Sequence, residues 1–118
     1  MKVPVNLHNV KGLEALPPAT YPVRIDAVTS KESKTHKPMA EIKMAVTAEG
    51  LNNKLFTNVM LDGTADWKWK EIYEATGAPF NESGFDTDDL ISAECLVTVD
   101  VEIYEGKEKN QIGKFLKI

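Results

Sequence analysis

The run "CLVTVDVEIYEGKEKNQIGKFLK" occupies residues 95–117, and the fold turns on how it is read. Cys95, Val97, Val99, Val101 and Ile103 alternate with Leu96, Thr98, Asp100, Glu102 and Tyr104. A period of two is what a strand with one dry face requires, because successive side chains leave it on opposite sides. Glu105-Gly106 then supplies a tight turn, since glycine accepts positive φ without steric cost, and a returning strand is expected over residues 110–117. The C-terminal end is therefore an antiparallel hairpin.

Before the hairpin lies a loop-like, acidic stretch, residues 78–89, with a short helical turn expected around residues 88–91. A helix precedes it. Thr64 is placed as its N-cap, Asp66 sits in the first turn where the helix dipole favours negative charge, and Gly77 followed by Pro79 stops it. Ala65, Trp69, Ile72, Tyr73 and Thr76 fall on one side at helical spacing, whereas Trp67 lies about 160° around from Trp69. Trp69 is assigned to the core; Trp67 either packs under the N-terminal arm or meets a ligand.

Three more strands stand upstream. Leu55 to Leu61 reads as one, after the turn residues Glu49-Gly50 and Asn52-Asn53. Ala40, Ile42, Met44 and Val46 alternate with Glu41, Lys43, Ala45 and Thr47 in another. Tyr21, Val23, Ile25 and Ala27 alternate with Pro22, Arg24, Asp26 and Val28 in the first. Residues 1–19, with Pro4, Gly12, Pro17 and Pro18, hold no sustained period and are expected to form an arm whose apolar residues pack on a domain spanning residues 20–118. The expectation is an all-β fold with one helix, in the chain order strand, strand, strand, helix, strand, strand. That is the order of the five-stranded OB-fold barrel, whose binding face uses its second and third strands and two flanking loops.

Length and composition agree with one domain. The chain has 118 residues, 42% hydrophobic and 27% charged, as an ordinary globular protein does. No apolar stretch approaches the roughly 20 residues of a membrane helix, and the N-terminus lacks the apolar core of a signal peptide, so a soluble, cytoplasmic protein is expected. Cys95 is the only cysteine, which excludes an internal disulfide and a zinc site built from cysteine pairs.

The net charge of -4 conceals an uneven distribution. Residues 1–61 hold eight Lys/Arg against five Asp/Glu, residues 62–108 hold three against thirteen, and residues 109–118 hold three against none. An anionic partner would meet the first and last segments; the acidic middle would be turned away.

The strings "LPPATYPVRIDAV" (16–28), "SKTHKPM" (33–39), "LFTNVML" (55–61), "DWKWKEIYEATGAP" (66–79) and "VTVDVEIYEGKEKNQIGKFL" (97–116) resemble a family of small bacteriophage single-stranded DNA-binding proteins, over residues 9–116. The resemblance implies an OB-fold, sequence-tolerant binding of single strands during phage replication or recombination, and the cytoplasm of an infected bacterium. It does not fix individual contacts. Unlike the bacterial proteins of similar function, whose acidic tail recruits partners, this chain ends "GKFLKI".

A single-strand binder needs cations that follow phosphates and aromatic faces for bases. Lys31, Lys34 and Lys37 before the second strand, Lys43 within it, and Lys107 and Lys109 after the last turn are the phosphate candidates, each with the alternative of a solubilising surface lysine. Arg24 either forks onto phosphate or pairs with Glu41 across the hairpin. Phe56 either offers a stacking platform or packs in the core, and Tyr104 either stacks on a base or caps the barrel. His36 has no second ligand near it and the aspartates lack calcium-loop spacing, so no metal or cofactor is expected. Nor is there a glycine-rich phosphate loop or a nucleophile with its base, so the chain is not read as an enzyme. A homo-oligomer is compatible with a domain of this size. The alternative from another class is a protein-interaction module that engages a basic partner through the acidic segment.

Overall fold

In a computed structural model, residues 15–80 and 84–118 are described, the side chain of Tyr104 excepted. The strands are β1 (Ala19–Glu32), β2 (Pro38–Val46), β3 (Lys54–Met60), β4 (Glu94–Tyr104) and β5 (Lys107–Leu116). Helix α1 (Asp66–Thr76) and a 3-10 turn, Thr87–Leu90, stand between β3 and β4. All four pairings are antiparallel and give one sheet in the order β3-β2-β1-β4-β5.

β1 is the strand the sheet is built around. Its first part, from Ala19 to Arg24, pairs with β4, and its later part, from Val23 to Glu32, pairs with β2. Asp26 is an extra residue within the β1–β2 ladder, because Ile25 faces Met44 and Ala27 faces the next residue back, Lys43. A bulge of this kind bends the strand and shifts the side-chain phase by one. The simple alternation expected for Ala27 and Val28 is thereby reversed: Val28 stands opposite the buried Ile42, and Ala27 shares the outward parity of Lys43. β1 also runs on to Glu32 without apolar alternation, paired residue by residue with the start of β2.

The core lies between one face of the sheet and α1. Val23, Ile25, Ile42, Met44, Leu55, Val59, Cys95, Val97, Val99 and Phe115 meet Trp69, Ile72 and Tyr73 of the helix, and Leu16 and Leu90 complete it. Leu16 is buried at the edge of β5, where Asn110 Oδ1 accepts its N–H at 2.9 Å and Asn110 Nδ2 donates to its carbonyl at 2.9 Å. The packing expected of Val5, Leu7, Val10 and Leu13 falls outside the described residues. Burial pushes the Cys95 thiol up to about 11, so it stays protonated at neutral pH.

Two expectations are corrected. The first is closure into a barrel: among the described residues no ladder joins the outer strands β3 and β5. Side chains of α1 bond to both edges. Trp69 Nε1 donates to the Met60 carbonyl of β3 at 2.9 Å, Lys68 Nζ donates to the Gly113 carbonyl of β5, and Glu71 Oε2 accepts the Phe115 N–H at 3.1 Å. The helix thus satisfies backbone groups on both edges that a closing ladder would use. The second is the helix N-cap. Ala65 holds that position and, being alanine, has no polar side chain to cap with, while Thr64 is engaged elsewhere: Asp62 Oδ1 takes both its N–H at 3.1 Å and its hydroxyl at 2.6 Å. A local turn has won Thr64 from the helix. The C-terminus is as expected: Gly77 has φ 77° and donates its N–H to the Tyr73 carbonyl.

In β5, Gly113 and Lys114 together oppose Thr98. A Cβ on Gly113 would lie 2.5 Å from Thr98 Oγ1, which itself accepts the Lys114 N–H at 2.7 Å. Gly113→Ala is therefore expected to destabilise the fold by about 1–3 kcal/mol, as overpacking does. Urea unfolding should show a lower midpoint with an unchanged slope, and an unchanged midpoint would mean that the bulge relaxes freely.

Candidate functional site

The outward face of β1, β2 and β3 is ordered in cross-strand rows. Arg24, Ala45 and Lys54 form one; Ala27, Lys43 and Phe56 the next; then Thr29, Glu41 and Asn58; then Lys31, Met39 and Met60. Phe56 lies on this open side, not in the core, with 51% of its surface exposed. Lys43 stands directly opposite it and is exposed. A flat apolar ring beside a flexible cation is the minimum that a stacked base and its phosphate need.

Charges on this face are partly paired. Arg24 Nε donates to Asp26 Oδ1 at 2.9 Å, Lys54 Nζ approaches Asp26 Oδ2 at 3.4 Å, and Lys31 Nζ approaches Glu41 Oε2 at 3.1 Å. The Arg24–Glu41 pair expected across the hairpin is not formed. Arg24 stands opposite Ala45, four residues along β2 from Glu41, a distance of about 13 Å at strand rise. The Arg24 hydrogen bond holds the Asp26 carboxyl below its ordinary range against the opposing effect of desolvation, and the charges of Arg24 and Lys54 and the Lys54 hydrogen bond act in the same direction.

Lys34 and Lys37 sit exposed on the turn between β1 and β2. The Ser33 N–H donates to the Lys37 carbonyl at 2.8 Å, the His36 N–H donates to the Ser33 carbonyl at 2.9 Å, and His36 takes φ 61°. His36 Nδ1 lies 3.2 Å from Glu32 Oε2, both side chains being largely exposed. From β1 to β3 the chain carries six cations against four acids, so the face keeps a positive excess.

The other expected lysine group is separate. β4 runs antiparallel to β1, so the turn after Tyr104 leaves the sheet at the end where β1 begins, and the Lys34 turn leaves it where β1 finishes. The two turns are not neighbours. Lys109 stands opposite Glu102, and Lys107 lies between Glu105 and Glu108, so this hairpin tip is mixed in charge. Stacking by Tyr104 concerns a side chain outside the described set.

Trp67 is 68% exposed and lines a separate surface hollow with Lys70, Glu71, Glu74, Phe115 and Leu116. Packing of Trp67 under the first fourteen residues falls outside the described residues. Among the described residues no three of His, Cys, Asp or Glu gather as metal ligands, and no helix is long and apolar enough to cross a membrane.

Three contributors to the face were missed from the sequence: Asp26, whose place depends on the bulge, Ala45, and Lys54. Lys54 shares the parity of Phe56 and Asn58, and that was the available signal. Compared with known proteins, the chain matches no protein-family model and no curated protein.

Proposed function

We propose that this protein binds single-stranded DNA without sequence preference, coating exposed strands during phage replication or recombination in the cytoplasm of an infected bacterium. The observation that carries the reading is Phe56, half out of the sheet and opposite Lys43 on the face with the positive excess. Bases stack on Phe56 while phosphates pass Lys43, Lys31 and the Lys34–Lys37 turn, so affinity comes from stacking and charge, with no catalytic step. The fold in this reading is an OB-fold opened between β3 and β5; the sheet order, with β1 shared between β2 and β4 and bent at a bulge, supports it.

The test is fluorescence anisotropy of a labelled thymine oligonucleotide at low and high salt, beside a duplex of equal length. Single-strand binding that fades with salt is expected. Each phosphate contact on a single strand contributes about 0.7 to the log–log salt slope, so Lys43→Ala should flatten it by about that much. Lys34→Ala and Lys37→Ala should each flatten it more than Lys31→Ala does, because Lys31 is already paired with Glu41. Equal effects from all three would deny that the ion pair matters. No binding at low salt, together with capture of a basic protein, would transfer the function to the acidic surface.

A further inference from the structure

At one end of the same face, beyond Phe56, a hollow is lined by Arg24, Ala45, Thr47, Asn52, Asn53 and Lys54, with Val46. Its shape follows from the cross-strand row. Ala45 stands between Arg24 on β1 and Lys54 on β3, and its methyl group is short where both neighbours are long. Although it points outward, Ala45 is only 7% exposed, because the two side chains rise on either side of it. Asp26 does not line the hollow; from the bulge it takes Arg24 through Nε and Lys54 through Nζ.

Donor arithmetic leaves capacity on both cations. A guanidinium carries five N–H groups and an ammonium three, and Asp26 engages one of each. The terminal nitrogens of Arg24 form the fork that matches two oxygens of a phosphate, and Asp26 fixes the plane of that fork. Asn52 and Thr47, both exposed, bring an amide and a hydroxyl to the same hollow. Two cations against one carboxylate leave an excess of a single positive charge, which suits one phosphate group.

The geometry points to a discrete oxyanion site here, in which a phosphate group lies over Ala45 between the Arg24 terminal nitrogens and Lys54 Nζ. As a station on a DNA strand the site rests on the function proposed above; as a site for free phosphate it does not. A general positive potential would attract any anion to this face. A built site prefers the tetrahedral oxyanion and is lost when the hollow is filled.

The experiment is titration of the full-length, nitrogen-15-labelled protein with inorganic phosphate, following the Arg24 Nε–H and Asn52 side-chain amide resonances, beside sodium chloride at equal ionic strength. A saturable shift with phosphate and not with chloride is expected. It should disappear in Arg24→Ala and in Ala45→Leu, which keeps every charge but fills the hollow. Should Ala45→Leu fail to fold, the exposed Asn52→Ala serves instead and should weaken phosphate several-fold. Equal shifts with chloride, or wild-type phosphate binding in the filled or amide-deleted variant, overturns the site. Addition of thymine oligonucleotide then identifies the source. Release of phosphate from the hollow puts the site on the strand's path, and oligonucleotide binding without release leaves it a free-phosphate site. Saturation by phosphate with no oligonucleotide binding upholds the site while the DNA-binding reading fails.

Discussion

Replacing Phe56 with alanine is expected to weaken binding of a thymine oligonucleotide by about 5- to 150-fold, the equivalent of the roughly 1–3 kcal/mol that one stacked base contributes. The loss should fall on affinity and leave the salt slope unchanged, since no cation is removed. Phe56 is 51% exposed on an edge strand, so the fold loses little with it: a core phenylalanine costs about 3–5 kcal/mol on truncation, and an outward one on a sheet edge at most about 1. Phe56→Tyr keeps a flat ring and should keep affinity within a few-fold. Lys43→Ala is the complementary measurement, reducing both affinity and slope, because it deletes the cation opposite the ring. Wild-type affinity in Phe56→Ala, with binding otherwise intact, would take the bases off β3 and leave the face a purely electrostatic track.

Strands with one dry face were legible because burial imposes a period of two. Ile42, Met44 and Val46 on β2 and Cys95, Val97 and Val99 on β4 are all core residues, as their alternation requires. The same alternation fails further along β4: Val101 is only partly buried and Ile103 is 73% exposed, because past Val99 the strand no longer pairs with β1. The helix was legible for the same reason at its own period, which separated Trp69 from Trp67 correctly although they are two residues apart. What failed depended on partners distant in sequence. The bulge at Asp26 is visible only as a phase slip between Ile25 and Val28, and a small residue such as Ala27 fits either phase. The continuation of β1 through Thr29 and Ser30 comes from pairing with Glu41 and Ala40 and has no apolar signature. Whether β3 and β5 pair is not encoded in any local pattern; they do not, and three side chains of α1 bond to their edges instead.

The site was legible in its parts and not in its assembly. Alternation placed Phe56 opposite in parity to Leu55 and Val59, but which side faced water depended on where the helix packed. Lys43 has outward parity and is exposed, and Lys34 and Lys37 are exposed on the turn before β2, as expected. Lys107 and Lys109 belong with them only if both loops flank one binding face, as the OB-fold order implies, and the antiparallel pairing of β1 with β4 places them at the other end of β1. Lys54 adjoins the Asn52-Asn53 turn, where a strand boundary is hardest to fix.

Trp69→Ala should be the most damaging of the single substitutions considered. Trp69 is fully buried, its ring lies 5.2 Å from that of Phe85, and its Nε1 holds the Met60 carbonyl at the edge of β3. Truncating a buried aromatic costs about 3–5 kcal/mol, and a carbonyl that loses its donor adds on the order of 1 kcal/mol. Against a total of about 5–15 kcal/mol for a domain, that removes much of the stability. Trp67→Ala, two residues away and 68% exposed, should change stability by no more than about 0.5 kcal/mol. Urea unfolding is best followed by circular dichroism, because the chain has two tryptophans and either variant alters the fluorescence signal itself. The contrast also tests how the open sheet is held. If α1 joins the β3 edge to β5 through Trp69, the variant should lose hydrogen-exchange protection first at β3, while the β1–β4 pairing stays protected until global unfolding. Uniform loss of protection would show that the tryptophan acts only as core volume, and that the bond to Met60 has no separate part in holding the β3 edge.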